Sequence, residues 1–238
     1  FRTPKLIEEE INYLKNDYGI EGINLLDEIC VPLSMRRAIP HLEAIGRTGI
    51  LWRGQCRVDG INNELAYLMK ESGCIAMALG VESISQHSLD MVNKKIKVEK
   101  ARESISILKE AGIETRVYMI LGLPGEPPDI VEQTWKFIKE TDPANVYLSL
   151  FTARPGTDVY ENPEKYSIKK LGINWNETMH LYCRYEKESP TLTFSYEENA
   201  SWGPSISNQK IIENYLELQD RIKSSGYGQA GYTNKENN

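Results

Sequence analysis

The sequence predicts an α/β fold: a partial (β/α) TIM-like barrel of parallel strands with outer helices, followed by a C-terminal extension. Amphipathic helical segments alternate with short apolar segments as far as residue 151, which is typical of parallel strands joined by helical crossovers. The third apolar segment, 74–81, has no charged side chain, as expected for a strand buried on both faces. A doubly wound dinucleotide-binding sheet shows the same alternation. No predicted strand-to-helix turn carries its G-x-G-x-x-G fingerprint, however, so the barrel is preferred.

Five segments have apolar residues at helical spacing and end at a glycine or a proline. The first begins with Thr3 in the N-cap position and Pro4 at the first helical position, and the second contains Pro40 as a defect. Four glycines are predicted to stop successive helices: Gly19, Gly46, Gly73 and Gly112. The predicted helices are 3–19, 35–46, 62–73, 97–112 and 129–143.

An apolar segment follows each of these helices and predicts a strand. The predicted strands are 20–26, 49–56, 74–81, 114–122 and 145–151. Beyond Thr157 the sequence becomes polar, aromatic and weakly periodic. We therefore predict a partial barrel over 1–160 and an extension over 161–238, with a helix near 208–224 and a disordered tail.

Composition excludes or disfavours several classes of protein. The 238 residues carry a net charge of −6 without a long Lys/Arg run, so nucleic-acid binding is disfavoured but not excluded. No apolar run is long enough to span a membrane and no signal peptide opens the chain, which favours a cytoplasmic protein without membrane partners. The four cysteines have no Cys-x-x-Cys spacing and are interpreted as reduced, buried thiols: Cys30, Cys56, Cys74 and Cys183.

Polar residues follow every predicted strand, at the end where parallel barrels place their working face. They are Asp27, Glu28, Arg57, Asp59, Glu82, Ser83, the turn Gly122 to Glu126, and Arg154 to Thr157. Loops are polar in any barrel, so this pattern alone gives only modest support for a functional site.

Three stretches of the sequence resemble the radical S-adenosylmethionine (radical SAM) enzymes. They are "GVESISQHSLDMVNK", "AGIETRVYMILGLPGE" and "FTARPGT", and the resemblance covers about residues 1 to 160. The nearest group is often fused to a cobalamin-binding domain. The resemblance implies S-adenosylmethionine and a [4Fe–4S] cluster as cofactors, with cobalamin as a further candidate. It also implies a flavodoxin or ferredoxin as electron donor, and oxidoreductase, methyltransferase or methylthiotransferase activity on a substrate that the sequence does not identify.

The resemblance also assigns roles to individual residues. Glu82 matches a position that hydrogen-bonds the ribose hydroxyls, and Lys94 one that pairs with the cofactor carboxylate. Asp27 matches a contact to its amino group, while Arg57 either reaches a carboxylate or pairs with Asp59. Gly122 and Gly125 would let the backbone approach the adenine, with Glu126 ordering the turn. The cofactor-binding candidates are Asp27, Arg57, Glu82, Ser83, Lys94, Gly122, Gly125, Glu126 and Thr152.

The sequence departs from the family in one respect, because no Cys-x-x-x-Cys-x-x-Cys motif is present. We interpret the chain as a catalytic-domain fragment, inactive alone, that lacks the first strand and the cluster loop and holds no metal ligands. The strand at Ile23 to Leu26 would then have an outer edge that is bare, covered by the extension or paired with another molecule. Two alternatives stay open: a cluster-free barrel enzyme that binds a phosphate, and a non-catalytic binding module.

Overall fold

The main sheet has five strands that neighbour one another in the order in which they occur in the chain. The computed structural model describes residues 2–172 and 192–227. The strands are β1 (Gly22–Asn24), β2 (Leu51–Cys56), β3 (Cys74–Glu82), β4 (Glu114–Leu121) and β5 (Asn145–Leu150). Their order is β1-β2-β3-β4-β5 and they run parallel, so the predicted class, a partial (β/α) barrel, is confirmed.

Helices occupy the segments between the strands. They are α1 (Pro4–Tyr18), α2 (Met35–Thr48), α3 (Asn63–Glu71), α4 (Gln86–Met91), α5 (Val98–Glu110), α6 (Ile130–Thr141), α7 (Asp158–Glu161) and α8 (Asn208–Ser224). Thr3 caps α1 as its sequence predicts, since its hydroxyl accepts a hydrogen bond from the Leu6 N–H. The periodicity did not predict α4 or α7, which have only six and four residues.

One predicted helix end is wrong. α2 continues through Gly46 to Thr48 and ends at Gly49, which has the left-handed φ of +64°. Gly46 is needed for another reason: a Cβ built there would lie 3.3 Å from the Cα of Ser72. The glycine therefore permits close packing of α2 on the end of α3 instead of stopping the helix.

The chain forms two compact units, and the first comprises residues 1–80 and 99–117. Its core surrounds Trp52, which is fully buried and whose indole N–H donates to the carbonyl of Ser72 at 3.0 Å. β1 pairs with β2 in parallel, with Ile23 opposite Trp52. Among residues 2–172 and 192–227, no strand pairs with the outer edge of β1.

The second unit comprises residues 81–98 and 118–238. Its C-terminal helix α8 packs against α6 and β5, and Arg221 of α8 forms an ion pair with Glu132 of α6 at 2.5 Å. Two small antiparallel pairs precede this helix: β6 (Ile168–Leu171) with β7 (Phe194–Tyr196), and β8 (Asn199–Ala200) with β9 (Gly203–Pro204).

No helix in the described ranges is both long enough and apolar enough to cross a bilayer. The tail predicted to be disordered begins at Tyr227, but that residue is buried and its carbonyl accepts a hydrogen bond from the Val146 N–H at 3.3 Å. Cys183 and the rest of the predicted tail, 228–238, lie outside the described residues.

Candidate functional site

The turn after β4 is held together by its own glutamate. Gly122 and Gly125 both have left-handed backbones, with φ of +91° and +78°. The side chain of Glu126 reaches back across the turn, and its Oε2 accepts a hydrogen bond from the Gly122 N–H at 2.8 Å. The sequence "GLPGE" is thus explained locally: two glycines permit the reversal of the chain direction, and a carboxyl group stabilises the turn by a hydrogen bond.

Protein side chains fill the space next to both glycines. A Cβ at Gly122 would lie 3.0 Å from Cγ2 of Ile211 in α8. At Gly125 it would lie 2.6 Å from Sδ of Met91 and 2.7 Å from Cδ2 of His87, both in α4. The glycines are therefore required by backbone conformation and packing, and the approach of their backbone to adenine stays a prediction.

The C-terminal extension covers this turn. The hydroxyl of Tyr196 in β7 donates to the Gly122 carbonyl at 2.7 Å, and the Tyr196 ring meets Trp202 edge to face, 5.3 Å between centroids. The cavity left between them has room for about one water molecule. Its lining residues are Gly122, Leu123, Gly125, Glu126, Tyr196, Trp202, Ile206 and Ile211. Both polar backbone groups of Gly122 are consequently used within the protein.

The carboxyl group of Glu126 has an unusual environment. The residue is 7% exposed, and burial raises its pKa to about 8 against the opposing effect of backbone hydrogen bonds from Gly122 and Leu123. Its Oε1 is buried and has no hydrogen-bond partner among the residues that the structure describes. Near neutral pH this carboxyl group is therefore mostly protonated.

Glu82, the last residue of β3, has a strained backbone. Its φ is +67°, and the following N–H, that of Ser83, bonds to the Val81 carbonyl at 2.9 Å. Together these define a γ-turn of the strained kind. A left-handed backbone costs a non-glycine residue about 1–2 kcal/mol. Such strain persists where the surrounding structure enforces it, most often at functional sites.

The side chain of Glu82 forms an ion pair with a second candidate. Lys94 Nζ lies 2.7 Å from Oε1 of Glu82, and the side chains are 39% and 19% exposed, respectively. A partly exposed ion pair contributes only about 0–1 kcal/mol. The pair therefore does not offset the strain at Glu82.

The segment between these two residues is ordered by its own hydrogen bonds. The buried hydroxyl of Ser83 accepts from the Ser85 N–H at 3.2 Å, and Ser85 in turn caps α4. After α4, Asn93 takes a second left-handed backbone, with φ of +54°. The Lys94 N–H then donates to the Leu89 carbonyl at 2.8 Å, so both ends of the ion pair have a fixed backbone.

One face of β4 and β5 is only half-buried. Val117, Met119 and Leu121 are buried, whereas the alternate residues Tyr118 and Ile120 are partly accessible. The Tyr118 ring contacts that of Tyr147 in β5, 5.0 Å between centroids. These side chains belong to a sheet face that the described part of the chain leaves partly open.

Thr152, two residues beyond β5, has a buried hydroxyl. Its Oγ1 has no hydrogen-bond partner among residues 2–172 and 192–227. A buried hydroxyl without a partner is costly, and a ligand or an ordered water usually supplies the missing hydrogen bond.

Glu82 ends β3 and Gly122 follows β4, the next strand in the sheet, so these predicted residues lie at the carboxyl ends of neighbouring strands.

Two further candidates belong to the first unit. Asp27 is exposed in the segment after β1. Arg57 forms a bidentate ion pair with Asp59, with Nε–Oδ1 at 2.9 Å and a second contact at 2.7 Å. This hydrogen bonding lowers the pKa of Asp59. The ion pair with Asp59 that was considered for Arg57 is formed, and a contact between Arg57 and a carboxylate of the cofactor or substrate stays a prediction.

The first unit contains three described cysteines, Cys30, Cys56 and Cys74. Cys74 is the first residue of β3 and lies beside Trp52, whereas Cys56 is the last residue of β2. Burial raises the pKa of Cys56 to about 11 and that of Cys74 to about 12, because a buried thiolate is poorly solvated. The described residues contain no group of three or more His, Cys, Asp or Glu placed to hold a metal.

Sequence reasoning did not identify Tyr196 and His87 as neighbours of the "GLPGE" turn. Tyr196 lies in an extension without clear periodicity, and its hydrogen bond to the turn spans more than 70 residues. His87 lies in the six-residue α4, too short for a helical pattern to be visible. The only available signal was the high aromatic content of the extension.

Comparison with known proteins gives a consistent picture. A family model described as the radical SAM superfamily matches residues 1–138. An uncharacterised methyltransferase from Pyrococcus horikoshii is 32% identical over 174 residues, which is 71% of this chain and 37% of the relative. An anaerobic magnesium-protoporphyrin IX monomethyl ester cyclase from Rubrivivax gelatinosus is 32% identical over 165 residues, 67% of this chain and 29% of the relative. The chain spans about a third of the length of these relatives.

Solved structures share the fold. The methyltransferase TsrM from Kitasatospora setae, with cobalamin and a [4Fe–4S] cluster bound, has a TM-score of 0.57 at 22% identity over 63% of this chain and 31% of its own. Coproporphyrinogen III oxidase from Escherichia coli has a TM-score of 0.58 at 11% identity, covering 94% of this chain and 46% of its own.

Proposed function

This chain belongs to the radical SAM superfamily, and from that premise we propose that the intact protein is a radical SAM enzyme. We propose that it binds S-adenosylmethionine at the carboxyl ends of β3, β4 and β5. The observation that carries the proposal is Glu82, which occupies a strained backbone at a strand end and presents a partly accessible carboxylate. Strain of this kind, without a matching gain in stability, supports a binding role.

The ribose of the cofactor would contact Glu82. Oε1 accepts from Lys94, and within the described ranges no hydrogen-bond partner is recorded for Oε2. An ionised carboxylate oxygen has more than one acceptor site, so Oε2 suits the neighbouring hydroxyls of a ribose. The resulting hydrogen bonds are charge-assisted and therefore stronger than bonds between neutral groups.

Two neighbouring features would complete the binding site. The unpartnered hydroxyl of Thr152 offers one hydrogen bond to the ligand on the β5 side. The half-buried face of Tyr118 and Ile120 would exclude water from the cofactor and its substrate. When bound, S-adenosylmethionine together with the family's cluster supplies the radical and group-transfer chemistry, and the residues of this chain bind, orient and shield it.

The [4Fe–4S] cluster used by this family has no ligand set in the described part of the chain. Cys56 and Cys74 are at opposite ends of neighbouring strands. We therefore assign no step to these cysteines. The prediction that the chain as given binds no cluster remains open to iron analysis after anaerobic reconstitution.

Calorimetric titration of the full-length protein with S-adenosylmethionine tests the proposed function. We expect saturable binding, weakened by about 1–3 kcal/mol in Glu82→Gln because the charge-assisted hydrogen bonds to the ribose become bonds between neutral groups. Glu198→Gln is the matched control, since Glu198 is exposed, and it should bind like the wild type. Equal binding by both variants would contradict the assignment of Glu82. Binding of inorganic phosphate in place of the cofactor would favour a cluster-free barrel enzyme.

The products would identify the reaction class. The names of the relatives suggest methyl transfer and oxidative ring formation. Methyl transfer from the cofactor leaves S-adenosylhomocysteine, whereas its reductive cleavage leaves 5′-deoxyadenosine and methionine. Chromatography of the full-length protein with reductant and cofactor separates these products.

A further inference from the structure

The ion pair between Lys94 and Glu82 has a role beyond charge neutralisation. We infer that Lys94 is a positioning residue, which holds the carboxylate of Glu82 so that its second oxygen faces the ribose hydroxyls. The inference rests on the proposed function, because it concerns the same cofactor site. It differs from the role that the family resemblance implies, in which Lys94 itself pairs with the cofactor carboxylate.

The first observation is the geometry of the pair. Lys94 Nζ lies 2.7 Å from Oε1 of Glu82, so the ammonium group has a carboxylate partner within the protein. Glu82 is the more buried of the two, with 19% of its side chain exposed against 39% for Lys94. An ammonium group bound to one oxygen restricts the rotation of the carboxylate and leaves the other oxygen for a ligand.

The second observation is the backbone that brings the two residues together. Both Glu82 and Asn93, which directly precedes Lys94, have left-handed backbones. The Lys94 N–H donates to the Leu89 carbonyl, and its own carbonyl accepts from the Ile96 N–H at 2.7 Å. A left-handed asparagine is common where a helix ends, so the strain is confined to Glu82, while the turn after α4 fixes the backbone of Lys94.

The third observation is the contrast with the next residue. Lys95 is exposed, and no ion pair of its side chain is recorded in the described residues. A lysine that follows α4 does not therefore form an ion pair merely because of its position in the chain. The contact is specific to Lys94 and provides a control one residue away.

A comparison of two ligands separates positioning from direct contact. S-adenosylmethionine carries adenine, ribose and an amino acid carboxylate, whereas 5′-methylthioadenosine has the same nucleoside without the carboxylate. Both are titrated calorimetrically into the full-length wild type and into Lys94→Gln, Lys94→Arg, Lys95→Gln, Glu82→Gln and the double variant Glu82→Gln/Lys94→Gln.

If Lys94 positions Glu82, Lys94→Gln weakens both ligands by a similar factor, about tenfold, as for a weakened charge-assisted hydrogen bond. Lys94→Arg restores most of the affinity and Lys95→Gln changes neither ligand. The double variant binds no more weakly than Glu82→Gln alone, because the lysine acts only through the carboxylate.

Other results would overturn the inference. Weakening of S-adenosylmethionine alone, with 5′-methylthioadenosine unaffected, would assign Lys94 to the cofactor carboxylate. Unchanged binding of both ligands to Lys94→Gln would remove Lys94 from the site while the proposed function stands. If the wild type binds neither ligand, the proposed function itself fails. Should Lys94→Gln unfold, Lys94→Met supplies the same comparison, since it keeps the length of the side chain without the charge.

Discussion

Replacing Glu126 by Gln should make the stability of the protein less dependent on pH. Burial raises the pKa of Glu126 from its ordinary 4.5 to about 8, so the folded protein binds this proton more tightly than the unfolded chain. The stabilisation is fully present below about pH 4.5. It is lost progressively as the pH rises to about 8, where the folded carboxyl group ionises. Gln keeps the acceptor for the Gly122 N–H but cannot ionise.

The magnitude follows from the two pKa values. Between about pH 5 and about pH 9, the shift of roughly 3.5 pKa units changes the free energy of unfolding of the wild type by about 4 kcal/mol relative to Glu126→Gln. With a urea dependence of about 1–3 kcal/mol per M, the midpoint of the variant should exceed that of the wild type by more than about 1 M near pH 9. Near pH 5 the two midpoints should be similar.

Urea unfolding of the full-length protein, followed by circular dichroism at both pH values, measures this difference. Glu198→Gln removes an exposed carboxylate and should follow the wild type at each pH within about 0.5 kcal/mol. If the gap between Glu126→Gln and the wild type were the same at both pH values, the buried carboxyl group would not have a raised pKa. The account of the turn would then be wrong.

Three further predictions concern stability, each measured by the same unfolding assay. Tyr196→Phe leaves the buried Gly122 carbonyl without its donor and should lower the free energy of unfolding by about 1–3 kcal/mol, whereas Tyr67→Phe at an exposed site should change it little. Equal effects of the two substitutions would show that the hydrogen bond of Tyr196 does not stabilise the fold. Gly122→Ala and Gly156→Ala both place an alanine in a left-handed backbone, but only the alanine at 122 would meet a side chain of α8. Gly122→Ala should therefore lower the free energy of unfolding by about 1–3 kcal/mol more than Gly156→Ala, and equal decreases would argue against that packing. Glu82→Gly should be more stable than Glu82→Ala by about 1 kcal/mol because glycine relieves the left-handed backbone; the reverse order would show that Glu82 is unstrained.

The strands were predictable because their apolar segments are short, continuous and separated by clear helical patterns. The predicted segment 74–81 differs from β3 by one residue, and 114–122 from β4 by one. Gly46 was misinterpreted because a glycine that permits close packing has the same appearance in sequence as one that ends a helix. Only the distance to Ser72 separates the two roles.

The candidate site was less predictable than the fold. Motifs identified Glu82, Lys94 and the "GLPGE" turn, but not that Lys94 contacts Glu82, because that contact depends on the backbone angles of Glu82 and Asn93. The cover over Gly122 comes from a segment more than 70 residues away. Contacts of such sequence separation leave no periodic signal.

A crystal structure of the full-length protein with bound S-adenosylmethionine would show whether Glu82 contacts the ribose. We expect the ribose hydroxyls to lie within hydrogen-bond distance of Oε2 of Glu82, while Lys94 Nζ remains on Oε1. A cofactor bound away from the carboxyl ends of β3 and β4, or a Glu82 carboxylate without contact to the ribose, would contradict this expectation.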